Sequence, residues 1–359
     1  MDNTDNNTAP AKPRSLGDRL FRLAGIVILL ASAAAGWLVI DYQAFTKTQL
    51  AVPAEGLLLK IMPGRSVRGI ANDLADQGLL KNPYYFEWLV RRSGSTTRLQ
   101  AGEYQIKPGT YPESLVQLLS SGKVLQHSLT IVEGWTFRQM LAAMRADTTL
   151  KHTVLDKSDV DIMAALGHAD EHPEGRFLPD TYFFPRGTTD VAFLARAYDA
   201  LAQTLEREWA TRSDGLPLKT PYESLILASI IEKETGVADE RARISGVFVR
   251  RLLKGMRLQT DPTVIYGLGD SYDGDIRFSD LRKDTAYNTY TRDGLPPTPI
   301  ALAGAEAIHA ALHPAEGKEL YFVASGDGRH QFSATLEEHN KAVRKYQMKR
   351  KPLDASVGK

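Results

Sequence analysis

The chain has 359 residues, of which 43% are hydrophobic and 24% are charged, and its formal net charge is +1. This length leaves room for two domains, and this composition is typical of a folded globular protein. A net charge so close to zero gives no indication of a nucleic-acid-binding surface. The absence of cysteine excludes disulfides, thiolate nucleophiles and most structural zinc sites.

The N-terminal segment is predicted to anchor the chain in a membrane. Residues 23–40 form an uncharged apolar run that is just long enough to span a bilayer as a helix. Four basic residues precede the run and Asp41 follows it, so the positive-inside rule keeps residues 1–22 in the cytoplasm, as a polar, disordered tail. The alternative is a cleaved signal peptide, because small residues inside the run resemble cleavage sites. The run continues past those residues, which favours an uncleaved anchor.

A short strand–turn–helix pattern recurs after a linker at residues 41–55. It begins near Leu59, Tyr104 and Thr130, and each time a glycine stands at the turn. Small βα units of this kind resemble the LysM carbohydrate-binding module, so residues 56–126 are predicted to form a LysM-like domain. The alternative is a small α+β spacer that holds the next domain away from the membrane.

Residues 127–350 are predicted to form a larger α+β domain, which a basic tail follows at residues 351–359. The predicted fold class is therefore α+β, with a single N-terminal transmembrane helix, a small LysM-like domain and a larger domain. Within the larger domain we predict helices at 152–165, 191–209 and 242–253, irregular polar segments at 257–267 and 286–297, a hairpin at 320–332 and a last helix from Glu337.

The most informative segment is residues 225–236, LILASIIEKETG, an almost wholly apolar helix that ends in two carboxylates. Thr220, Pro221 and Glu223 predict its start as a capping box with proline in the first turn. Gly236 predicts its end. An apolar wall and the negative end of the helix dipole both disfavour ionisation, so a carboxyl group there is expected to have a raised pKa. Such a group suits general acid catalysis.

Only one of the two carboxylates, Glu232 or Glu234, is expected to be the acid. Residues two apart on a helix point about 200° away from each other and cannot share one site. Periodicity leaves the choice open, because each residue continues its own apolar stripe. The alternative for both is a helix-end ion pair with Lys233, Arg241 or Arg243, since structural ion pairs also perturb carboxylates.

The two irregular segments interleave amide, hydroxyl and aromatic side chains, which a sugar-binding groove requires. Their alternative is plain turn chemistry, with Asp261 and Asn288 bonding their own backbone. We find no metal-binding, phosphate-binding or nucleophile-elbow motif, so no metal and no cofactor is expected. The histidines are scattered, and His330 and His339 are expected to be structural or solvent-facing.

Five sequence blocks, in this order, resemble the endolytic murein transglycosylase family (YceG-like), and the resemblance covers nearly the whole chain after the cytoplasmic tail. The blocks are EGRFLPDTY at 174–182, ASIIEKET at 228–235, residues 257–267, residues 286–297 and EHN at 338–340. The chain departs from the family near residues 299–304, where the family has a proline before the glycine. That departure affects local loop geometry and leaves the chemistry untouched.

The resemblance implies a lyase of the bacterial inner membrane, with a cytoplasmic N-terminus and an extracytoplasmic catalytic domain. It implies that the enzyme cuts nascent peptidoglycan glycan strands, leaves 1,6-anhydro-N-acetylmuramic acid ends and terminates strand elongation. The implied partners are the glycan strand, the membrane and glycan polymerases or penicillin-binding proteins, with no nucleic acid.

The resemblance also implies site residues. The second Glu of the EKET block, Glu234, is the implied catalytic acid. Seven residues fall in blocks that line the family's cleft: Ser229, Gln259, Thr260, Asp261, Tyr287, Asn288 and Tyr290. Two alternatives remain, namely a hydrolase that uses Glu234 with Asp261 or Glu232, and a non-catalytic wall-binding scaffold.

Overall fold

The computed structural model describes residues 16–347. Residues 1–15 of the disordered tail predicted at 1–22 and the basic tail at 351–359 lie outside the described residues, and residues 16–22 belong to the first helix. The chain divides into two compact units, Met1–Leu125 and Gln126–Lys359. Helices dominate the described part, and its strands form three small antiparallel sheets. The predicted α+β class is confirmed.

The first helix, α1 (Leu16–Lys47), contains the predicted membrane span. Its part from Leu20 to Lys47 is long and apolar enough to cross a membrane, with a mean hydropathy of 2.4 in its most apolar window. The large apolar side chains of residues 20–40 face outward, and Leu29 is 69% exposed. A helix with so much exposed apolar surface is suited to a lipid environment. The segment is therefore compatible with a membrane anchor or a signal segment.

The rest of the first unit is a two-stranded sheet packed with three helices. Its elements are β1 (Leu57–Ile61), α2 (Val67–Asp76), α3 (Pro83–Arg92), β2 (Gly102–Ile106) and α4 (Pro112–Ser121). Leu59 of β1 lies opposite Tyr104 of β2, and both are buried with Leu74 and Phe86 in the core. The strand–turn–helix patterns near Leu59 and Tyr104 are confirmed, whereas the likeness to LysM stays a prediction.

The second unit holds the remaining elements. They are β3 (Gln126–Thr130), α5 (Phe137–Ala146), α6 (Asp159–Ala165), β4 (Thr181–Pro185), α7 (Asp190–Ala210), α8 (Pro221–Glu234), α9 (Arg241–Leu253), α10 (Asp261–Leu268), α11 (Phe278–Arg282), α12 (Ala305–Leu312), β5 (Tyr321–Ala324), β6 (His330–Ser333) and α13 (Leu336–Tyr346). A 3₁₀ turn, Ala238–Glu240, joins α8 to α9, and another, Gly269–Ser271, follows α10.

Two apolar clusters form the core of this unit. One surrounds α5 and α7 and includes Met140, Phe177 and Phe193. The other surrounds α8, α9 and α12 and includes Ile230 and Phe248. The β5–β6 hairpin and α13 pack together beside this second cluster. Helices α7 and α9, the hairpin and the last helix lie where the sequence predicts them.

Two predictions for this unit are wrong in part. The predicted helix at 152–165 begins only at Asp159, because Ser158 caps it by accepting a hydrogen bond from the backbone of Asp161 at 3.2 Å. The segment predicted as irregular at 257–267 contains helix α10. Asp261 and Pro262 form its first turn, where a missing backbone N–H costs nothing.

Candidate active site

Helix α8 runs through the larger core of the second unit. Its start is as predicted, since Thr220 accepts a hydrogen bond from the backbone of Glu223 at 3.2 Å and Pro221 is the first helical residue. The carboxylate of Glu223 bonds the backbone of Lys219 instead of Thr220, so the capping box is not reciprocal. Leu225, Leu227, Ala228, Ile230 and Ile231 have no exposed surface. The predicted burial of this helix is confirmed.

The helix ends at Glu234, two residues before the predicted stop. Thr235 adopts an extended conformation (φ −147°, ψ 136°), and Gly236 is not in the left-handed region that a glycine cap uses. The chain therefore leaves the helix directly after Glu234. The carboxyl group of this residue lies at the open end of an otherwise apolar helix.

Glu232 is part of a structural network. Its Oε2 accepts a hydrogen bond from the backbone of Gly304 at 2.9 Å, and its Oε1 lies 4.0 Å from Nη2 of Arg241. Its side chain is only 6% exposed. Burial raises the pKa of Glu232, the bond from Gly304 lowers it, and the charge of Glu133 adds to the rise. The ion-pair interpretation therefore fits Glu232.

The loop that carries Gly304 lies against Glu133. A Cβ atom at position 304 would displace the carboxylate of Glu133, whose side chain is 48% exposed and can move aside. The segment before Gly304 has Ala303 fully buried. The loop thus places the Gly304 amide on Glu232 and connects the end of α8 to the loop that carries Glu133.

Glu234 is in a different environment. The hydroxyl of Thr260 donates a hydrogen bond to its Oε1. No Lys or Arg of residues 16–347 lies within ion-pair distance of it. Burial raises the pKa of Glu234 to about 7; the bond from Thr260 opposes this rise, the charge of Asp261 adds to it, and the charge of His330 opposes it. A carboxyl group with this pKa can give and take a proton near neutral pH.

Glu234 opens into a cavity of about 440 Å³. This volume falls in the range of about 300–1,000 Å³ that is typical of ligand sites. The walls come from the end of α8, the start of α10, the β5–β6 hairpin and α13. The lining residues are Glu234, Arg251, Leu258, Gln259, Thr260, Asp261, Tyr290, Tyr321, Phe322, Val323, Ala324, His330, Leu336, His339, Val343 and Gln347. Glu232 is not among them, so the geometry separates the two carboxylates that periodicity could not.

The wall beside Glu234 is formed by a strained turn. Gln259 has φ +52° and is the only non-glycine residue with positive φ in the described part of the chain. Its backbone N–H bonds the carbonyl of Thr289 at 3.1 Å, and the N–H of Thr260 bonds Oγ1 of Thr289 at 3.1 Å. Such strain persists only where neighbouring groups fix the backbone, and it clusters at functional sites. Here it aims the hydroxyl of Thr260 at Glu234.

A second carboxylate, Asp261, lies at the cavity wall. Its Oδ1 accepts a hydrogen bond from the hydroxyl of Tyr290 at 2.6 Å. Burial raises the pKa of Tyr290, and the bond to Asp261 raises it further. Tyr290 is therefore a neutral donor at physiological pH. Four of the seven predicted cleft residues, Gln259, Thr260, Asp261 and Tyr290, line the cavity with Glu234.

The other three predicted cleft residues do not line this cavity. Ser229 is fully buried, donates to the carbonyl of Ile226 at 2.7 Å and accepts from the backbone of Ile300 at 3.0 Å. Asn288 is 1% exposed, and its amide donates to three backbone carbonyls between residues 280 and 283. The hydroxyl of Tyr287 lies 2.9 Å from Oγ1 of Thr298. In this structure these side chains support the loops around the site.

Sequence reasoning missed several residues of the cavity. Arg251 donates to the carbonyls of Leu258 and Leu320, at 2.6 and 2.7 Å, and so joins two walls. His330 and His339, which we expected to be structural or solvent-facing, line the cavity. The alternation of side chains along a strand sets the face of β6 on which His330 lies. The sequence could not show that the β5–β6 hairpin contacts this site, so the place of His330 in the cavity could not be predicted.

Glu174 is a second buried carboxyl group that sequence reasoning missed. Its Oε1 accepts a hydrogen bond from the backbone of Phe137 at 2.9 Å, and its Oε2 accepts one from the hydroxyl of Tyr266 at 3.1 Å. Burial raises its pKa to about 7. It does not line the cavity. The signal in the sequence is the unusual aromatic content of the block that Glu174 begins.

One group of side chains in residues 16–347 has the spacing of a metal site. Ligand atoms of Glu208, His309 and His313 lie within 4.8 Å of one another. A hydrogen bond of 2.8 Å already joins Nδ1 of His309 to Oε2 of Glu208. None of the three lines the cavity. The expectation that the chemistry uses no metal stays a prediction.

Comparison with known proteins gives consistent matches. The model of the YceG-like family matches residues 59–345. A Bacillus subtilis (strain 168) protein named endolytic murein transglycosylase is 34% identical over 306 residues, which cover 80% of this chain and 84% of that protein. A Streptococcus pneumoniae (strain D39) protein of the same name is 26% identical and matches 90% of this chain, which spans 65% of that protein.

A solved structure is also similar. The crystal structure of a YceG-like protein from Listeria monocytogenes is 30% identical, covers 80% of this chain and 99% of its own, and superposes with a TM-score of 0.50. The match in sequence and the match in structure both extend over most of the chain.

Proposed function

The chain belongs to the YceG-like family, and from this premise we propose that it is an endolytic peptidoglycan transglycosylase. It is a lyase that cleaves glycan strands between N-acetylmuramic acid and N-acetylglucosamine and leaves 1,6-anhydro ends. The observation that carries the proposal is Glu234, a carboxyl group with a pKa of about 7 that opens into a cavity of ligand size. A binding scaffold has no use for such a group.

In the first step Glu234 acts as a general acid. Its carboxyl proton passes to the glycosidic oxygen, the bond from C1 of the muramic acid to that oxygen breaks, and the next sugar leaves with a free hydroxyl. A positive charge of oxocarbenium character develops at C1. The carboxylate that remains on Glu234 is stabilised by the hydroxyl of Thr260.

In the second step the same carboxylate acts as a base. The C6 hydroxyl of the muramic acid attacks C1, the new C1–O6 bond closes the anhydro ring, and the hydroxyl proton returns to Glu234. The cycle consumes no water and regenerates the acid. Because the nucleophile belongs to the substrate, its proximity to C1 comes with the bound strand. One carboxyl group with a pKa near neutral suits both steps.

Asp261 supports one alternative, a hydrolase with two carboxylates. It lines the same cavity as Glu234, whereas Glu232 is occupied by Gly304 and Arg241. A hydrolase activates water and leaves reducing ends. The nature of the new ends therefore separates the two chemistries.

We further propose that the apolar helix Leu20–Lys47 anchors the enzyme in the cytoplasmic membrane, with the N-terminus inside and the catalytic unit outside. The exposed apolar surface of this helix supports an anchor, and the basic residues before it support the orientation. An enzyme tethered there meets strands as they leave membrane-bound polymerases, so polymerases and penicillin-binding proteins are the proposed partners. A soluble form that left strand lengths in cells unchanged would contradict the tether.

The test compares four forms of the full-length protein in detergent. They are the wild type, Glu234→Gln, Glu174→Gln and Asp261→Asn, each incubated with uncrosslinked glycan strands, with new ends analysed by mass spectrometry. Glu174→Gln is the matched control, because its carboxyl group also has a pKa of about 7 and lies outside the cavity. We expect internal fragments with anhydro ends from the wild type and Glu174→Gln, and none from Glu234→Gln. Reducing ends would establish the hydrolase, and no cleavage by any form would favour the scaffold.

A further inference from the structure

The β5–β6 hairpin is fastened to the chain segment that directly follows Glu234. Nη1 of Arg329 lies 3.0 Å from Oδ2 of Asp239, and the guanidinium of Arg243 lies 4.0 Å from the ring centre of Phe332. Between these two contacts, Glu240 binds His330. The hairpin is thereby held at the end of α8, where the cavity begins.

Glu240 holds His330 at two points. Its Oε1 accepts a hydrogen bond from the backbone N–H of His330 at 3.0 Å, and its Oε2 lies 2.8 Å from Nδ1 of the ring. Glu240 is 3% exposed, so its bonds are formed away from bulk water. A carboxylate only accepts hydrogen bonds, so Nδ1 of His330 carries the proton. The tautomer and the ring orientation are set by this contact.

The other ring nitrogen of His330, Nε2, is available to a ligand in the cavity. His330 lines the same cavity as Glu234, and no group of residues 16–347 forms a hydrogen bond with its Nε2. The ring is confined by Phe322, whose centre lies 5.3 Å away, and by Phe332 at 6.4 Å. A purely structural histidine does not need a fixed ring with an unused nitrogen beside a proposed catalytic acid.

We propose that His330 is a second catalytic residue of this cavity, whose Nε2 accepts a hydrogen bond from a hydroxyl of the bound glycan and holds the sugar against Glu234, with Glu240 as its positioning residue. The inference rests on the proposed function, since it names a further group of the same site. In this role His330 transfers no proton in the cycle. It is active as the neutral imidazole, because the protonated ring has no lone pair to offer.

The charge of His330 is coupled to that of Glu234. A positive charge on His330 lowers the pKa of Glu234, so protonation of the ring removes an acceptor and also favours the inactive carboxylate. The useful combination is a neutral His330 with a protonated Glu234. Other charged or titratable groups around the pair are Asp239, Glu240, Arg243, Arg251, Asp261, Tyr290, Tyr321, Arg329 and His339.

Two substitutions separate the ring nitrogens. The amide of His330→Asn reaches the position of Nδ1 and keeps the bond to Glu240, but it places nothing at the position of Nε2. The longer side chain of His330→Gln places an amide near the position of Nε2 and offers an acceptor there. The matched control is His309→Gln, because Nδ1 of His309 lies at the same 2.8 Å from a carboxylate, Glu208, outside the cavity.

The experiment measures kcat and KM of the full-length forms on uncrosslinked glycan strands from about pH 5 to about pH 9, together with thermal unfolding. We expect His330→Asn to lower kcat/KM by about 10- to 100-fold, and His330→Gln to restore part of the rate. Glu240→Gln keeps one acceptor oxygen for the two N–H groups of His330, so the ring is held less firmly and a smaller loss is expected. His309→Gln should match the wild type.

The outcomes distinguish the inference from the proposed function. If His330→Asn is folded and keeps the kcat/KM of the wild type, the inference is overturned while the function stands. If His330→Asn, His330→Gln and Glu240→Gln all lose rate only in proportion to their unfolding, His330 is structural and the inference is again overturned. If the wild type fails to cleave, or Glu234→Gln cleaves equally well, the proposed function fails and the inference fails with it.

Discussion

The hydroxyl of Thr260 donates a hydrogen bond to Oε1 of Glu234. Thr260 is itself fixed, because it is 2% exposed and its backbone N–H bonds Thr289 at 3.1 Å. The contact favours the carboxylate, while burial and the charge of Asp261 favour the acid. The protonation of Glu234 is therefore set by opposing neighbours, and each can be removed separately.

Replacing Thr260 by Val tests the first neighbour. The variant keeps the size of the side chain but has no donor, so the carboxylate is less stabilised and the pKa of Glu234 rises. We expect kcat to fall about 10-fold, from poorer orientation and a lost charge-assisted hydrogen bond, and the alkaline limb of kcat/KM to move to higher pH. The measurement is the pH–rate profile on glycan strands. Thr260→Ser keeps the donor and is the control, and a Val variant with the wild-type profile would contradict the role.

Replacing Asp261 by Asn tests the second neighbour. The variant removes a negative charge that raises the pKa of Glu234, so the alkaline limb should move to lower pH. Asn keeps a carbonyl oxygen for the hydroxyl of Tyr290, which bonds Asp261 at 2.6 Å. We expect the rate at the optimum to stay within about threefold of the wild type. A loss above about 100-fold there would instead assign Asp261 a direct role, either as a second carboxylate or as a stabiliser of the oxocarbenium-like charge.

The local structure around α8 could be predicted largely from the sequence. Its Thr-Pro start, its apolar content and its carboxylates at the end are local signals, and the structure confirms the buried helix. The exact end was wrong, because Thr235 leaves the helix by turning extended without help from Gly236. Helix α10 was missed because Asp261 and Pro262 favour a turn and a helix start equally well.

The membership of the cavity could be predicted only in part, because it depends on contacts between distant segments. The family resemblance pointed to Glu234 and to four residues that line the cavity with it. Local patterns left the choice between Glu234 and Glu232 open, because it depends on the bond from Gly304 to Glu232 and the bond from Thr260 to Glu234. His330 reaches the cavity only because Glu240 holds it there, 90 residues away in the chain. Local patterns carry no information about pairs at such separations.

Ser229 provides a test of structural support against cleft contact. Its hydroxyl is fully buried and accepts from the backbone of Ile300 at 3.0 Å. Ser229→Ala leaves that N–H without a partner, so we expect a loss of about 1–3 kcal/mol in the free energy of unfolding, measured with urea. KM for glycan strands and the pH profile should not change. Ser245→Ala is the matched control, because Ser245 is also fully buried but its hydroxyl has no hydrogen-bond partner among residues 16–347. A raised KM in Ser229→Ala alone would place Ser229 in the cleft.

The raised pKa of Glu234 also couples stability to pH. The group titrates from its ordinary value of 4.5 in the unfolded chain and at about 7 in the folded protein. Between these values the folded state keeps a proton that the unfolded state has lost, so stability is full below about pH 4.5 and falls as pH rises to about 7. The side chain at position 234 does not titrate in Glu234→Gln. The free energy of unfolding of this variant, relative to that of the wild type, should therefore be higher at pH 8 than at pH 4 by on the order of 3 kcal/mol.

Thermal unfolding of the full-length protein in detergent at pH 4 and pH 8 measures this difference. Glu174→Gln should behave in the same direction, because burial also raises the pKa of Glu174 to about 7, and it should keep its activity. If the difference in stability between Glu234→Gln and the wild type is the same at both pH values, the pKa of Glu234 is not raised on folding. Glu234 would then be ionised at neutral pH and could not act as the acid.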